Sequence, residues 1–253
     1  MTDLTDRIAL VTGAGGGIGS AVVRALAEAG CGGIVLHDVR TDSRLQELAD
    51  ELRERAHAVA ADLAVPAAAE RLWEEALSWK GRIDVLVNNA GVYEPARVDD
   101  DLEAWTSSWE RTLAINLVSP ATLCRRAIRT FRGQDGGGII INLASRAAFR
   151  GEDPDYWHYA ASKAGVVAMT KTIARQYGRQ GVTAFGIAPG FVDTPLNRPF
   201  VEQFGVEAAA RETGLGEVAR PEDVASVITF LASGLARHAT GATIDINGAS
   251  YVR

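Results

Sequence analysis

Tyr159-Ala160-Ala161-Ser162-Lys163 sets a phenol and an ammonium four positions apart. On a helix that spacing puts both side chains on one face, within reach of one another. A phenol that titrates near 10 is a poor acid or base at neutral pH, and a neighbouring ammonium stabilises its phenolate and lowers that value. Tyr156 has Ala160 four residues on and Tyr177 has Gly181, so the pairing singles out Tyr159. A Tyr-x-x-x-Lys pair by itself is usually structural. It gains weight from Ser145, which closes Ile141-Asn142-Leu143-Ala144-Ser145 after an apolar run and so falls at a strand's carboxyl end.

A second constellation lies near the start of the chain. Thr12-Gly13-Ala14-Gly15-Gly16-Gly17-Ile18-Gly19 follows the apolar run Ile8–Val11 and leads into a helical pattern. Glycines there let the backbone turn sharply and approach a pyrophosphate, whose charge is held by free N–H groups at the helix N-terminus. A dinucleotide suits this placement. Gly13, Gly17 and Gly19 give Gly-x-x-x-Gly-x-Gly, and Ile18 stands where the commoner Gly-x-Gly-x-x-Gly pattern, started at Gly13, wants its last glycine. Asp38 ends the second apolar run, where a carboxylate accepts hydrogen bonds from both adenosine ribose hydroxyls. The same carboxylate repels a 2′-phosphate, so NAD is expected to bind more tightly than NADP. Arg40 opposes that expectation; Val39 directly after Asp38, and Gly15 and Gly16 in the loop, support it. Asp62, followed by Leu63, is placed to hold the adenine edge or to cap a helix. Asn88-Asn89-Ala90-Gly91 follows a fourth run, with amides placed to brace neighbouring loops and face the ribose.

These residues need a scaffold that gathers strand ends. Apolar runs at Ile8–Val11, Gly33–His37, Ala58–Ala61, Ile83–Val87, Gly138–Leu143, Val182–Ile187 and Thr243–Ile246 read as strands. Helical periods cover Ile18–Ala29, Arg44–Arg55, Ala67–Trp79, Trp105–Phe131, Trp157–Tyr177 and Glu222–Leu231. Strand and helix in alternation mean βαβ units, hence an α/β fold: one doubly wound parallel sheet of about seven strands with helices on both faces. With no linker or repeat in sight, residues 1–253 are expected to form one domain, the segment 191–216 serving as a substrate lid.

Composition narrows the function classes. Among 253 residues, 47% are hydrophobic and 23% charged, enough for a full core. Lys+Arg 26 against Asp+Glu 32 leaves −6, which denies nucleic acid a broad positive field. Two cysteines, Cys31 and Cys124, build neither a disulfide framework nor a four-ligand zinc site, and no metal is expected. Without an apolar run of membrane length or a signal-like start, a soluble, cytoplasmic protein is the expectation.

On these motifs the chain resembles the short-chain dehydrogenase/reductases along nearly its whole length. The family's glycine motif falls on Thr12 through Gly19, its Asn-Asn-Ala-Gly on Asn88 through Gly91, its serine on Ser145 and its Tyr-x-x-x-Lys on Tyr159 and Lys163. Its catalytic asparagine falls on Asn116, and its Pro-Gly cofactor loop on Pro189-Gly190-Phe191-Val192-Asp193-Thr194. The resemblance implies a Rossmann fold in which Tyr159 transfers the proton, Lys163 lowers its pKa and binds the nicotinamide ribose, and Ser145 polarises the substrate oxygen. It implies that Asn116 holds a water linking Lys163 to solvent, and that Val192 and Thr194 contact the nicotinamide carboxamide and the phosphates. It further implies a homotetramer built on the two long helices Trp105–Phe131 and Trp157–Tyr177. Two departures bear on the substrate mouth: a slightly stretched Ser145-to-Tyr159 interval, and Asn247-Gly248-Ala249 where Asp-Gly-Gly is usual.

The expected activity is hydride transfer between NAD and a carbonyl or secondary alcohol of a small molecule. The alternative within the family is a 3-oxoacyl-(acyl-carrier-protein) reductase using NADPH, for which Arg125, Arg126, Arg129 and Arg132 are the one candidate basic surface and read better as a solvated face. A dinucleotide-binding protein without turnover would be expected to lack Tyr159 or Lys163. His158 points about 100° from Tyr159 on a helix and reads as packing or exposed; His37, His57 and His238 offer no metal-ligand spacing. Trp105 and Trp109 share a helical face and read as core or subunit contact. Phe149, Trp157, Phe191, Phe200 and Phe204 suit an apolar substrate cavity, but Arg146, Arg150 and Arg198 lie among them.

Overall fold

The computed structural model describes residues 2–253. Its elements run β1 Ile8–Thr12, α1 Gly17–Glu28, β2 Gly33–Asp38, α2 Ser43–Leu52, β3 Ala56–Ala60, α3 Ala68–Lys80, β4 Val85–Asn88, α4 Leu102–Leu113, α5 Ser119–Phe131, β5 Gly138–Leu143, α6 Ala147–Arg150, α7 Trp157–Tyr177, β6 Val182–Pro189, α8 Arg198–Phe204, α9 Val206–Ala210, α10 Pro221–Ala232 and β7 Thr243–Ile246. The strands form one seven-stranded sheet in the order β3-β2-β1-β4-β5-β6-β7, parallel throughout. Every residue of β1, β4 and β5 is buried, which is why these strands read as continuous apolar runs: a parallel sheet is covered on both faces. Val22, Leu26, Leu45, Leu48 and Ile228 from α1, α2 and α10 pack on one face; Leu72, Trp73, Leu123, Phe131 and Ile173 from α3, α5 and α7 pack on the other. Strand order reverses between β1 and β4, and ligands of such sheets collect in the crevice at the carboxyl ends there.

Three expectations are corrected in detail. The single helix Trp105–Phe131 is two helices, α4 and α5, joined by a π-helical turn over Ala114–Val118. Pro120, near the start of α5, has no N–H to return to the carbonyl of Asn116, so the regular ladder fails there and the turn widens. The third strand begins at Ala56 rather than Ala58, since Ala56 already pairs with Ile34, and the fourth begins at Val85 rather than Ile83. The segment 191–216 carries a tight turn Pro195–Asn197, α8 and α9, and a bridge from Val192 to Ala219 pins its start. No helix among the described residues is long and apolar enough to cross a membrane.

Candidate active site

The carboxyl end of β5 presents Ser145. Ala144 donates its N–H to Ile187 O at 2.7 Å and Arg146 its N–H to Pro189 O at 3.0 Å, so the turn carrying Ser145 is stitched to β6 from both sides. Helix α7 crosses above with Tyr159 and Lys163 on one face. Lys163, only 5% exposed, donates from Nζ to Leu143 O at 2.8 Å and lies 5.7 Å from the centre of the Tyr159 ring. Burial pulls its ammonium down to about 8. Burial also pushes the Tyr159 phenol up to about 12, with the Ser145 hydroxyl as a hydrogen-bond partner pulling it back and the Glu152 carboxylate adding to the rise. Both shifts are one effect, the penalty on charge away from water.

Asn116 sits behind this pair, in the π-helical turn. Its Oδ1 accepts from Val92 N at 2.9 Å, and its Nδ2 donates to Val92 O at 3.0 Å and lies 3.4 Å from Ser162 Oγ. The amide therefore clamps the chain just after Gly91. A Cβ at Gly91 would lie 3.3 Å from Asn116 Oδ1 and 3.5 Å from Lys163 Nζ, so the glycine keeps this corner open. Tyr93 follows two residues later, stacked on Tyr156 with centroids 3.9 Å apart and set edge-on to Tyr159 at 4.9 Å.

At the opposite end the glycine run turns beneath the sheet's edge. Gly13 has φ +68°, and a Cβ on Gly19 would stand 1.9 Å from Gly13 O, so no side chain fits there. Helix α1 starts at Gly17 with no side-chain cap, leaving its first N–H groups turned to the crevice. Asn89 is spent on the scaffold: Nδ2 donates to Thr12 O at 2.8 Å and Gly13 O at 3.1 Å, tying β4 to the glycine loop. Ala90 donates its N–H to Thr12 Oγ1 at 3.0 Å. Asp38 Oδ2 accepts from Gly15 N at 2.9 Å and Oδ1 from Val39 N at 2.7 Å, fixing the carboxylate between loop and strand end. Asp62 is exposed and accepts from Ala64 N at 2.9 Å, the turn-capping arrangement, while Leu63 is buried and its O accepts from Ser119 Oγ at 2.7 Å.

One cavity of about 970 Å³ joins the two ends. Gly13, Gly17, Ile18, Asp38, Asp62, Leu63, Asn89, Ala90, Gly91, Ser145, Tyr159, Lys163, Pro189, Gly190, Val192 and Thr194 all line it. Gly19 and Asn116 stand behind the lining, where the former sets backbone approach and the latter holds Val92. Of the five candidate aromatic liners, Phe191 and Phe200 face the cavity; Phe149 lies against Arg253, Trp157 against Trp105 and Trp109, and Phe204 against Phe200. His158 is buried against Trp109 and burial lowers its pKa, so it is a neutral packing residue. Arg125 and Arg126 are not merely solvated: they pair with Glu70 at 2.9 and 2.8 Å, and Arg126 also reaches Glu74 at 3.3 Å. Tyr93, Arg111, Glu152 and Glu212 line the cavity unannounced by any motif. Only the stretched Ser145-to-Tyr159 interval, which contains Glu152, hinted at one of them.

Comparison with known proteins agrees with this geometry. The family model described as enoyl-(acyl carrier protein) reductase matches residues 13–249. The chain is 35% identical to a cis-4-hydroxycyclohexanecarboxylate dehydrogenase of Sinomonas cyclohexanicum, over 96% of each chain. It is 35% identical to a 3beta-hydroxysteroid dehydrogenase 1 of Eggerthella lenta, covering 97% of this chain and 94% of that one. It is 34% identical to a 3-oxoacyl-[acyl-carrier-protein] reductase of Synechocystis, over 98% of each. Among solved structures, a short-chain type dehydrogenase/reductase from Mycobacterium marinum superposes with a TM-score of 0.90 at 29% identity, covering 100% of this chain and 98% of that one. Fold, strand-end constellation and relatives converge: the chain belongs to the short-chain dehydrogenase/reductase family, whose members are oxidoreductases acting on CH–OH groups.

Proposed function

We propose that this chain moves a hydride between NAD and a carbonyl or secondary alcohol carbon, with Tyr159 as the proton-transferring group. The observation that carries the reading is the single cavity with Tyr159, Lys163 and Ser145 at one end and the fixed Asp38 carboxylate at the other. A nicotinamide dinucleotide fits the residues present: the uncapped start of α1 and the close Gly13–Gly19 approach leave room and donors for a pyrophosphate. Bound there, the nicotinamide supplies the site that accepts or gives the hydride.

The chain's own groups do the rest. Ser145 holds the substrate oxygen, and Tyr159 takes or gives the proton at that same oxygen. Lys163 supports the phenolate and holds the neighbouring ribose. Val192 and Thr194 steady the nicotinamide end, and Pro189 and Gly190 shape its floor. Ile18, Asp62, Leu63, Asn89, Ala90 and Gly91 complete the dinucleotide's surroundings. Asn116 positions the Gly91–Val92 backbone against Lys163. In the same reading the chain is one domain, cytoplasmic and homotetrameric, acting on small molecules, with the segment 191–216 closing over the substrate.

A second reading, a 3-oxoacyl-(acyl-carrier-protein) reductase using NADPH, is favoured by Arg40 and Arg44, which line the adenosine end. Arg44 is held by Asp42 at 3.1 Å, and Arg40 is exposed, where an ion pair returns about 0 to 1 kcal/mol. Dissociation constants decide between the two. NAD is expected to bind at least tenfold more tightly than NADP, and Asp38→Ala should weaken NAD and relieve the exclusion of NADP. Equal affinities in the parent chain overturn the assignment. A screen of NAD reduction against alcohols, sugars, steroids and acyl thioesters then identifies the substrate class.

A further inference from the structure

The substrate end of the cavity holds charge that proton and hydride transfer do not use. Arg146 follows Ser145 directly and lines the cavity, yet it is only 7% exposed. Its Nη2 donates to Glu212 Oε2 at 2.8 Å, while Nη1 is buried with no hydrogen-bond partner among the described residues. A guanidinium carries five N–H donors and keeps its charge at any working pH, so a half-satisfied one in a buried place is costly. The two members of the pair are unequally committed: the Arg146 side chain is 9% exposed and that of Glu212 49%. Glu212 can move into water at little cost; Arg146 cannot. Glu212 also comes from the far end of the 191–216 segment, just after α9, so this contact joins that segment to the catalytic turn. The other carboxylate nearby, Glu152, faces Arg150 at 3.5 Å. Tyr93, Phe191 and Phe200 line the same cavity and supply apolar wall.

We propose that Arg146 is the anchor for a carboxylate on the substrate, so that the substrate class is a hydroxy- or oxo-carboxylate whose anionic group takes the place of Glu212 on the guanidinium. A carboxylate matches the fork of a guanidinium with two parallel hydrogen bonds, which gives both attraction and orientation. Because Arg146 adjoins Ser145, anchoring the acid also sets which carbon of the skeleton meets Tyr159. Glu212 sits on the guanidinium where the substrate's carboxylate would be held. The proposal rests on Tyr159 and Ser145 handling the alcohol oxygen, but anion binding itself can be read without turnover.

The test is calorimetric titration of cyclohexanecarboxylate, which has no hydroxyl to oxidise, and of its methyl ester, into the protein with saturating NAD. The acid should bind at least about tenfold more tightly than the ester, from the loss of one charge-assisted pair. Arg146→Gln should abolish that preference, Arg146→Lys should keep part of it, and Glu212→Gln should strengthen acid binding several-fold by removing the competing carboxylate. Tyr159→Phe should leave acid binding intact. Equal binding of acid and ester by the parent chain, or an unchanged preference in Arg146→Gln, overturns the proposal. Weaker acid binding in Glu212→Gln also overturns it, since the pair would then be a structural latch. If acid binding follows Arg146 but no alcohol reduces NAD, the anchor stands and the reading of Tyr159 falls. Should Arg146→Gln fail to fold, the comparison of acid with ester in the parent chain and the Glu212→Gln variant still decide.

Discussion

Lys163 is a residue placed against its own stability. Its ammonium is buried and titrates at about 8 instead of 10.5. The sign follows: below about 8 both folded and unfolded chains carry the charge and the fold bears the full burial cost, which is relieved as pH rises from about 8 towards 10.5. Lys163→Met removes that cost, so the unliganded variant is expected to melt above the parent at pH 7, with the gap closing as pH approaches 10.5. It loses turnover, as does Tyr159→Phe, by about 10² to 10⁴ in rate, the range of general acid–base catalysis. The two differ in cofactor: Tyr159→Phe keeps NAD binding and Lys163→Met does not. Thermal scans against pH, run beside dissociation constants, check this. A parent chain more stable than Lys163→Met at pH 7 would refute the cost. The pairing of these two residues was legible in sequence because helical spacing is local. The role of Asn89 was only half legible, because whether an amide faces a ligand or a neighbouring loop depends on residues 77 and 76 positions away, here Thr12 and Gly13.

At the scale of elements, the join between α4 and α5 matters most. The hydrophobic pattern runs through it unbroken, which is why a single helix is expected from periodicity; a one-residue widening leaves little mark on that pattern. Only Pro120 signals it. The widened turn sets Asn116 against both polar groups of Val92, so one side chain does the work of a missing strand partner. Asn116→Ala leaves the half-buried N–H and C=O of Val92 without their partner, at roughly 0.5–1.5 kcal/mol each. Chemical denaturation should show a loss of that order, and activity should fall with it as Gly91 loosens beside Lys163. Retained stability would mean that Val92 is held by other contacts. Strand boundaries shift by one or two residues because sheet pairing does not follow polarity residue by residue: His57 pairs with Val35 in β3, whereas the apolar, buried Ile83 lies before the first paired residue of β4, Val85.

For the whole molecule, the outer face formed by α4 and the start of α7 carries Leu102 at 77% and Trp157 at 46% exposure, with Trp105 and Trp109 packed beside the latter. Apolar surface of this kind suits the subunit contact that the proposed homotetramer requires. We expect light scattering at micromolar concentration to return about four times 26.9 kDa, and a reading near 26.9 kDa would remove the homotetramer from the proposed function. Trp157→Glu should shift the same reading towards smaller species. The order of the sheet has a consequence for biosynthesis. β1 leaves the ribosome ahead of the other six strands of its sheet, yet it ends as an inner strand, paired through Ala9 with Val85 on its β4 side. That edge must wait for a stretch of chain that takes about 4 to 15 s to translate at 5–20 residues per second. Throughout that interval the nascent chain offers an open strand edge, a row of unpaired N–H and C=O groups between largely apolar side chains, and the growing protein depends on whatever shields it.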